Sequence, residues 1–223
     1  MPEQKQHNVG FELICIHKVI TRGLDVSIKT AQDYSSLKVL PAGFSPGFLD
    51  YVRCLATVLD GHHLMEDELA FPYFQNKPLE APYQTLADQH HQITNHLKKV
   101  LDVVSKMETG KDNTSALQDL SEELSAIRSI WQPHIAQEED SFSPAVLSQI
   151  MRLDEQIQMS QQFGKFAQEH SNPLELALPF VLFNLPPDER ALMAQNIPPT
   201  VTQQLIPGPW KQRWGAMQPF LLE

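Results

Sequence analysis

Four long stretches of this chain carry apolar residues at helical spacing, and in each a histidine falls on the apolar stripe. From Val9 to about Thr30, Leu13, Ile14, His17, Ile20 and Leu24 share one face. From about Gly47 to Phe74 the stripe is Leu55, Val58, Leu59, His62, Met65, Glu66 and Leu69, with Gly61 leaving room beside His62. From about Ala81 to Glu108 it is Leu86, His90, Ile93, Leu97 and Leu101. From Thr114 or Ser115 onward it is Leu117, Leu120, Leu124, Ile127, Ile130, Trp131, His134 and Glu138. Pro41, Gly43 and Pro46 mark a connection over Lys38–Pro46, and Gly110–Asn113 makes a second break. Strand alternation is nowhere sustained, so the expected architecture is all-α, an antiparallel four-helix bundle. Pro133, directly before His134, is expected to kink the fourth helix or to free a carbonyl one turn earlier.

Two of the four histidines have a carboxylate four residues on: His62 with Glu66, and His134 with Glu138. On a helix that spacing stacks both groups on one face, so each segment offers a nitrogen and an oxygen to the same interior point. Burying Glu66 and Glu138 among leucines without a cation would cost several kcal/mol, and a metal relieves that cost while accepting neutral imidazoles. His17, His62, Glu66, His90, His134 and Glu138 are therefore the candidate metal ligands. Asp67, Glu68, Glu139 and Asp140 read as a solvated acidic face, although a kinked helix would make Glu139 an alternative to Glu138. His63 and His91 lie off the stripe centre and are expected at the surface or around the ligand set, His96 is out of phase with His90, and His7 and His170 have no assigned chemistry.

A formal net charge of -10 and a pI near 5.3 leave no basic stripe for a phosphate backbone, so no nucleic-acid partner is expected. Met1–His7 lacks the apolar core of a signal peptide, and no run of about eighteen apolar residues could span a bilayer, which predicts a soluble, cytoplasmic protein with no membrane partner. Cys15 and Cys54 lie in apolar helical stretches and read as small buried hydrophobes. After Pro144 a further helix to about Glu169 is followed by Pro173, Pro179, Pro186-Pro187, Pro198-Pro199, Pro207 and Pro209, and the chain ends in Trp210, Trp214, Phe220 and Leu221. Residues 1–145 thus read as the metal-binding bundle. Residues 146–223 read as a helical, proline-rich extension that packs on the bundle or on a protein partner, self-association included.

The histidine, His-x-x-x-Glu, histidine, His-x-x-x-Glu order resembles the hemerythrin-like, or HHE cation-binding, family over about residues 9–145. The flanks add to it: His62-His63-x-x-Glu66-Asp67-Glu68-Leu69-Ala70-Phe71-Pro72 and His134-Ile135-x-x-Glu138-Glu139-Asp140-Ser141-Phe142-Ser143-Pro144 are similar to the two motif segments of that family. The resemblance implies a bundle holding two iron ions with an oxo or hydroxo bridge. His17, His62, His90 and His134 would be terminal ligands, and Glu66 and Glu138 would bridge. The nitrogen and oxygen donor set also admits manganese or zinc. Ferritin-like diiron bundles place Glu before His at three residues, so the order here favours the hemerythrin-like arrangement.

One departure bears on function. Oxygen-carrying hemerythrins have a His-x-x-x-His pair on the third helix, whereas the residue four beyond His90 is Thr94, and four beyond His91 is Asn95. With one imidazole fewer, positions stay open for water, dioxygen, peroxide or a small molecule, which favours reactivity over reversible carriage. Three functions follow from the sequence: a diiron oxidoreductase activating dioxygen or peroxide, an iron- or oxygen-sensing module without turnover, and a structural metal site.

Overall fold

The computed structural model describes residues 8–37, 44–109 and 113–222, all the described elements being helical. Most of the two expected breaks, and Met1–His7, lie outside the described residues. The four long helices are α1 (Val9–Ser35), α2 (Phe44–Met65), α4 (Tyr83–Thr109) and α5 (Asn113–Ser141). Asn8 caps α1, its side chain accepting from the Phe11 N–H and donating to Ser148 Oγ.

Helix α2 does not run evenly to Phe74. A π-helical turn spans Glu66–Ala70 before the short α3 (Phe71–Phe74). Pro72 has no N–H, and its ring crowds the carbonyl four residues back, so the preceding turn widens and the Phe71 N–H bonds the Glu66 carbonyl five residues behind. In α5, Pro133 sits inside a helix that continues to Ser141, with Gln137 Nε2 donating to the Pro133 carbonyl.

Helix α1 packs on α2 and α5, and α4 on α2 and α5, which closes a ring of four. Its interior holds two apolar clusters. One contains Ile20, Leu24, Leu55, Leu59, Ile93, Val100, Ile127 and Trp131; the other contains Val9, Leu13, Met65, Phe71, Leu86 and Phe142. Helices α1 and α4 begin in the second cluster and end in the first, while α2 and α5 run from the first to the second. On α4 the inward phase continues through Val100, Val104 and Met107, and Leu101, expected inside, is 44% exposed. The stripe steps by three and four alternately, and Val100 rather than Leu101 keeps that step.

The later helices are α6 (Pro144–Ile150), α7 (Leu153–His170), α8 (Leu174–Phe183), α9 (Pro187–Ala194) and α10 (Lys211–Trp214). A π turn at Val201–Leu205 precedes α10, and a 3₁₀ segment at Gly215–Phe220 follows it. They share the bundle's core: Phe163 and Phe166 join the second cluster, and Phe180, Leu185, Trp214 and Met217 the first. A polar clamp fixes them to α1 and α2. Arg22 donates to Asn184 Oδ1 (2.8 Å) and to the Phe220 carbonyl (2.9 Å), and the Tyr51 hydroxyl donates to Asn184 Oδ1 (2.7 Å). Cys15 and Cys54 are free and buried, and Cys54 Sγ lies 3.8 Å from Met217 Sδ, so its thiol is turned to the C-terminal segment.

That segment comes close to α2 at Gly47, where an added Cβ would collide with the Ala216 carbonyl. Gly47→Ala should therefore lower unfolding free energy by ~1–3 kcal/mol and speed proteolytic release of the segment. Gly164→Ala in α7, whose Cβ would meet nothing within 4 Å, should raise it by ~0.5–1 kcal/mol. Denaturant unfolding of both variants checks the contrast.

Candidate metal centre

Between the two apolar clusters lies one polar layer. Every helix of the ring contributes to it at the point where its stripe passes from one cluster to the other: His17 between Leu13 and Ile20, His62 and Glu66 after Leu59, His90 between Leu86 and Ile93, and His134 and Glu138 between Trp131 and Phe142. All six sequence-derived candidates are brought together, and none is more than 5% exposed.

The two carboxylates link two groups of imidazoles. Glu66 Oε1 lies 3.5 Å from His62 Nε2, and its Oε2 lies 3.5 Å from His90 Nε2. Glu138 Oε2 lies 3.2 Å from His17 Nε2, while its Oε1 lies 3.3 Å from His134 Nε2 and 3.8 Å from His90 Nε2. One oxygen of each carboxylate thus faces the His17–His62 side, and the other faces the His90–His134 side. His17, His62, Glu66 and Glu138 form one group whose ligand atoms lie within 4.8 Å of one another, and Glu66, His90, His134 and Glu138 form a second.

Apart from His90 Nε2 and His134 Nε2, which lie 3.2 Å apart in hydrogen-bond contact, these atoms face each other without hydrogen-bond geometry. Nε2 of His17, both ring nitrogens of His62, Oε2 of Glu66 and both oxygens of Glu138 are buried and have no hydrogen-bond partner. Most buried polar groups in folded proteins are satisfied, so this concentration of unpaired acceptors at one place calls for a cation. The donor set, imidazole nitrogen with carboxylate oxygen, fits a divalent transition metal.

The outer ring nitrogens are held in turn. His17 Nδ1 is 3.0 Å from Glu139 Oε1, His90 Nδ1 is 2.9 Å from Asp67 Oδ1, and His134 Nδ1 is 3.0 Å from Gln89 Oε1. Carboxylate and amide oxygens only accept, so each Nδ1 carries a proton, and in the neutral ring Nε2 then turns a lone pair inward. Glu138 is 1% exposed and Glu139 38%, so the alternative left open in the sequence is decided by α5 running on as a helix past Pro133. Asp67 and Glu139 stay partly exposed, as expected of an acidic face (39% and 38%), and also reach across to the imidazoles of neighbouring helices. A signal for them exists in the sequence: in both motifs the residue after the inward carboxylate is itself acidic, and one step along a helix turns a side chain by ~100° toward the adjacent helix. Glu68, Asp140 and His91 are exposed, as expected.

Of the two places expected for His63, the structure shows the one around the ligand set. His63 is 2% exposed and lies stacked on His90, with ring centroids 4.0 Å apart. Its position one step beyond His62 turns it toward α4, where the rings of His90 on α4 and of Trp131 and His134 on α5 cover it. Trp131, fully buried, walls the layer with its ring 5.6–6.1 Å from those of His17, His62, His63 and His134, and its indole N–H donates to Thr21 Oγ1.

Burial, helped by neighbouring imidazoles, pushes His62 and His63 well below the usual histidine range, and burial takes His134 down to about 4, so these three are neutral and ready to donate. Burial also drives His17 and His90 down, but Glu138 with Glu139, and Asp67 with Glu138, outweigh it and raise them. The two inner carboxylates diverge. Burial and the charge of Glu138 push Glu66 well up, whereas burial of Glu138 is overcome by the close approach of the His17 and His90 imidazoles, which holds it low. Burial thus disfavours a second carboxylate charge beside the first, and a divalent ion in the layer would favour ionisation of both. On the α1–α5 side a cleft of about 400 Å³ reaches His17 and Glu139, with Lys18, Thr21, Arg22 and Asp25 along it.

The family model for the hemerythrin HHE cation binding domain matches residues 16–146. No curated protein and no solved structure matches the chain significantly. No helix among the described residues is long and apolar enough to cross a membrane.

Two adjacent glutamates should behave differently. Glu138→Gln should abolish stoichiometric metal binding. Glu139→Gln, which only loosens the hold on His17, should weaken it by ~10–100-fold. Anaerobic metal titration separates them, and equal losses would contradict the placement of Glu139 outside the layer.

Proposed function

The chain belongs to the hemerythrin HHE cation-binding family, and on that premise we propose that it is a non-haem diiron protein that binds or activates dioxygen or peroxide. The observation that carries the reading is that Glu66 and Glu138 each direct one oxygen to either of two imidazole groups, the arrangement two bridged ions require. The alternating course of the four long helices between the two apolar clusters supports an antiparallel hemerythrin-like bundle around them. Two ferrous ions in this layer would supply electrons to dioxygen or peroxide.

The chain's own residues supply the rest. His17 and His62 would hold one ion, His90 and His134 the other, and Glu66 and Glu138 would serve both. Glu139, Asp67 and Gln89 fix the tautomers, so the donor atoms need not reorganise on loading. Trp131 and the Phe71 ring stacked on His90 exclude bulk water. The cleft beside His17 gives a small molecule an approach to one side of the layer and has room for more than dioxygen, which favours reaction with a small substrate over carriage alone.

A sensing role is the second reading. Lys18, next to His17, pairs with Glu189 of α9, and Arg22 on the same helix holds Asn184 and Phe220, so the helix that presents His17 also seats the C-terminal segment. Metal occupancy would then alter how firmly that segment is docked.

Elemental analysis and an optical spectrum of anaerobically reduced protein, before and after air, test the assignment. The expected result is two irons per chain and a charge-transfer absorption that develops with air. Zinc alone, with no response to oxygen, would leave the structural role. Metal removal should lower the thermal midpoint, and protease sensitivity of the segment that changes with metal or oxidation state would favour sensing over turnover.

A further inference from the structure

His63 has no role in the six-residue set, yet its surroundings are those of a ligand. It comes from α2 and lies against the imidazoles of both α4 and α5. Its ring stacks on His90 at 4.0 Å with an interplanar angle of 17°, and meets His134 edge-on at 5.3 Å. Both of its ring nitrogens are buried and have no hydrogen-bond partner. A ring nitrogen from each of His63, His90 and His134 lies within 4.8 Å of the other two. Filling the space beside His90 needs only an aromatic ring, and phenylalanine would do so without two unsatisfied nitrogens, which are costly when buried. The imidazole is explained when one of those nitrogens donates to a metal.

The sequence left a place for it. The third long helix lacks the second histidine of the oxygen carriers, and the residues at that spacing cannot substitute: Thr94 is only half-buried and Asn95 is exposed. We propose that His63 is a metal ligand that completes a three-imidazole position with His90 and His134, next to the two-imidazole position of His17 and His62. The proposal rests on the dinuclear reading above. It revises what the missing third-helix histidine implies: the donor count at that position is restored from the neighbouring helix, and the two positions differ in their affinity for metal.

Anaerobic titration of the metal-free full chain with Co(II), whose visible bands report each ion bound, tests this. Wild type is expected to take two equivalents. His63→Phe keeps a ring on His90 and removes both nitrogens, so it should keep one tight ion and bind the other ~10–100-fold more weakly. His63→Ala should recover the second ion when free imidazole is added, and His91→Ala, at an exposed position, should match wild type. A folded His63→Phe protein that binds two ions as tightly as wild type overturns the proposal, as does a second-ion affinity of His63→Ala that does not respond to imidazole. If neither variant folds, the Co(II)-loaded wild type decides: hyperfine-shifted ring signals from five histidines support the proposal, and signals from four refute it. A wild-type chain that binds fewer than two ions would instead sink the dinuclear reading itself.

Discussion

A layer of ionisable side chains is buried between two apolar clusters, and the rest of the structure is arranged around its cost. His17, His62, His63, Glu66, His90, His134 and Glu138 lie where hydrophobic packing would otherwise be continuous, and many of their inward atoms are acceptors facing acceptors. Such a layer is expensive in a low-dielectric interior unless a cation enters it. Burial itself prepares for that event by keeping several of the imidazoles neutral.

The two His-x-x-x-Glu segments do more than supply ligands. In each, the inward carboxylate serves both imidazole groups, and the acidic residue after it leaves the layer to brace an imidazole of a neighbouring helix: Asp67 on α2 holds His90 of α4, and Glu139 on α5 holds His17 of α1. Each segment is therefore a ligand for the layer and a support for one of the single histidines. The π turn that begins at Glu66 belongs to the same design, because Pro72 forces the wide turn just where α2 delivers its carboxylate.

The residues after Pro144 are tied to the helices that form the layer. Asn184, Phe220 and Glu189 fasten to α1 within two turns of His17, and Met217 reaches Cys54 on α2. Their apolar residues join the clusters above and below the layer. Displacing them would uncover the outer faces of α1 and α2, so their seating and the geometry of His17 and His62 depend on each other.

Periodicity and spacing by themselves determined the four long helices, the histidine on each stripe and the two carboxylates one turn on, because a period of 3.6 residues fixes which side chains share a face. Tertiary structure alone decided what lies just off that face. Leu101 turns to solvent because neighbouring residues keep the inward step. Asp67 and Glu139 become partners of imidazoles because helices α4 and α1 pass within reach of them. His63 enters the layer because α4 and α5 bring His90, His134 and Trp131 against its side of α2. Spacing gives direction relative to one helix, whereas burial and partnership depend on which other helices lie in that direction, and that is settled only when the chain packs.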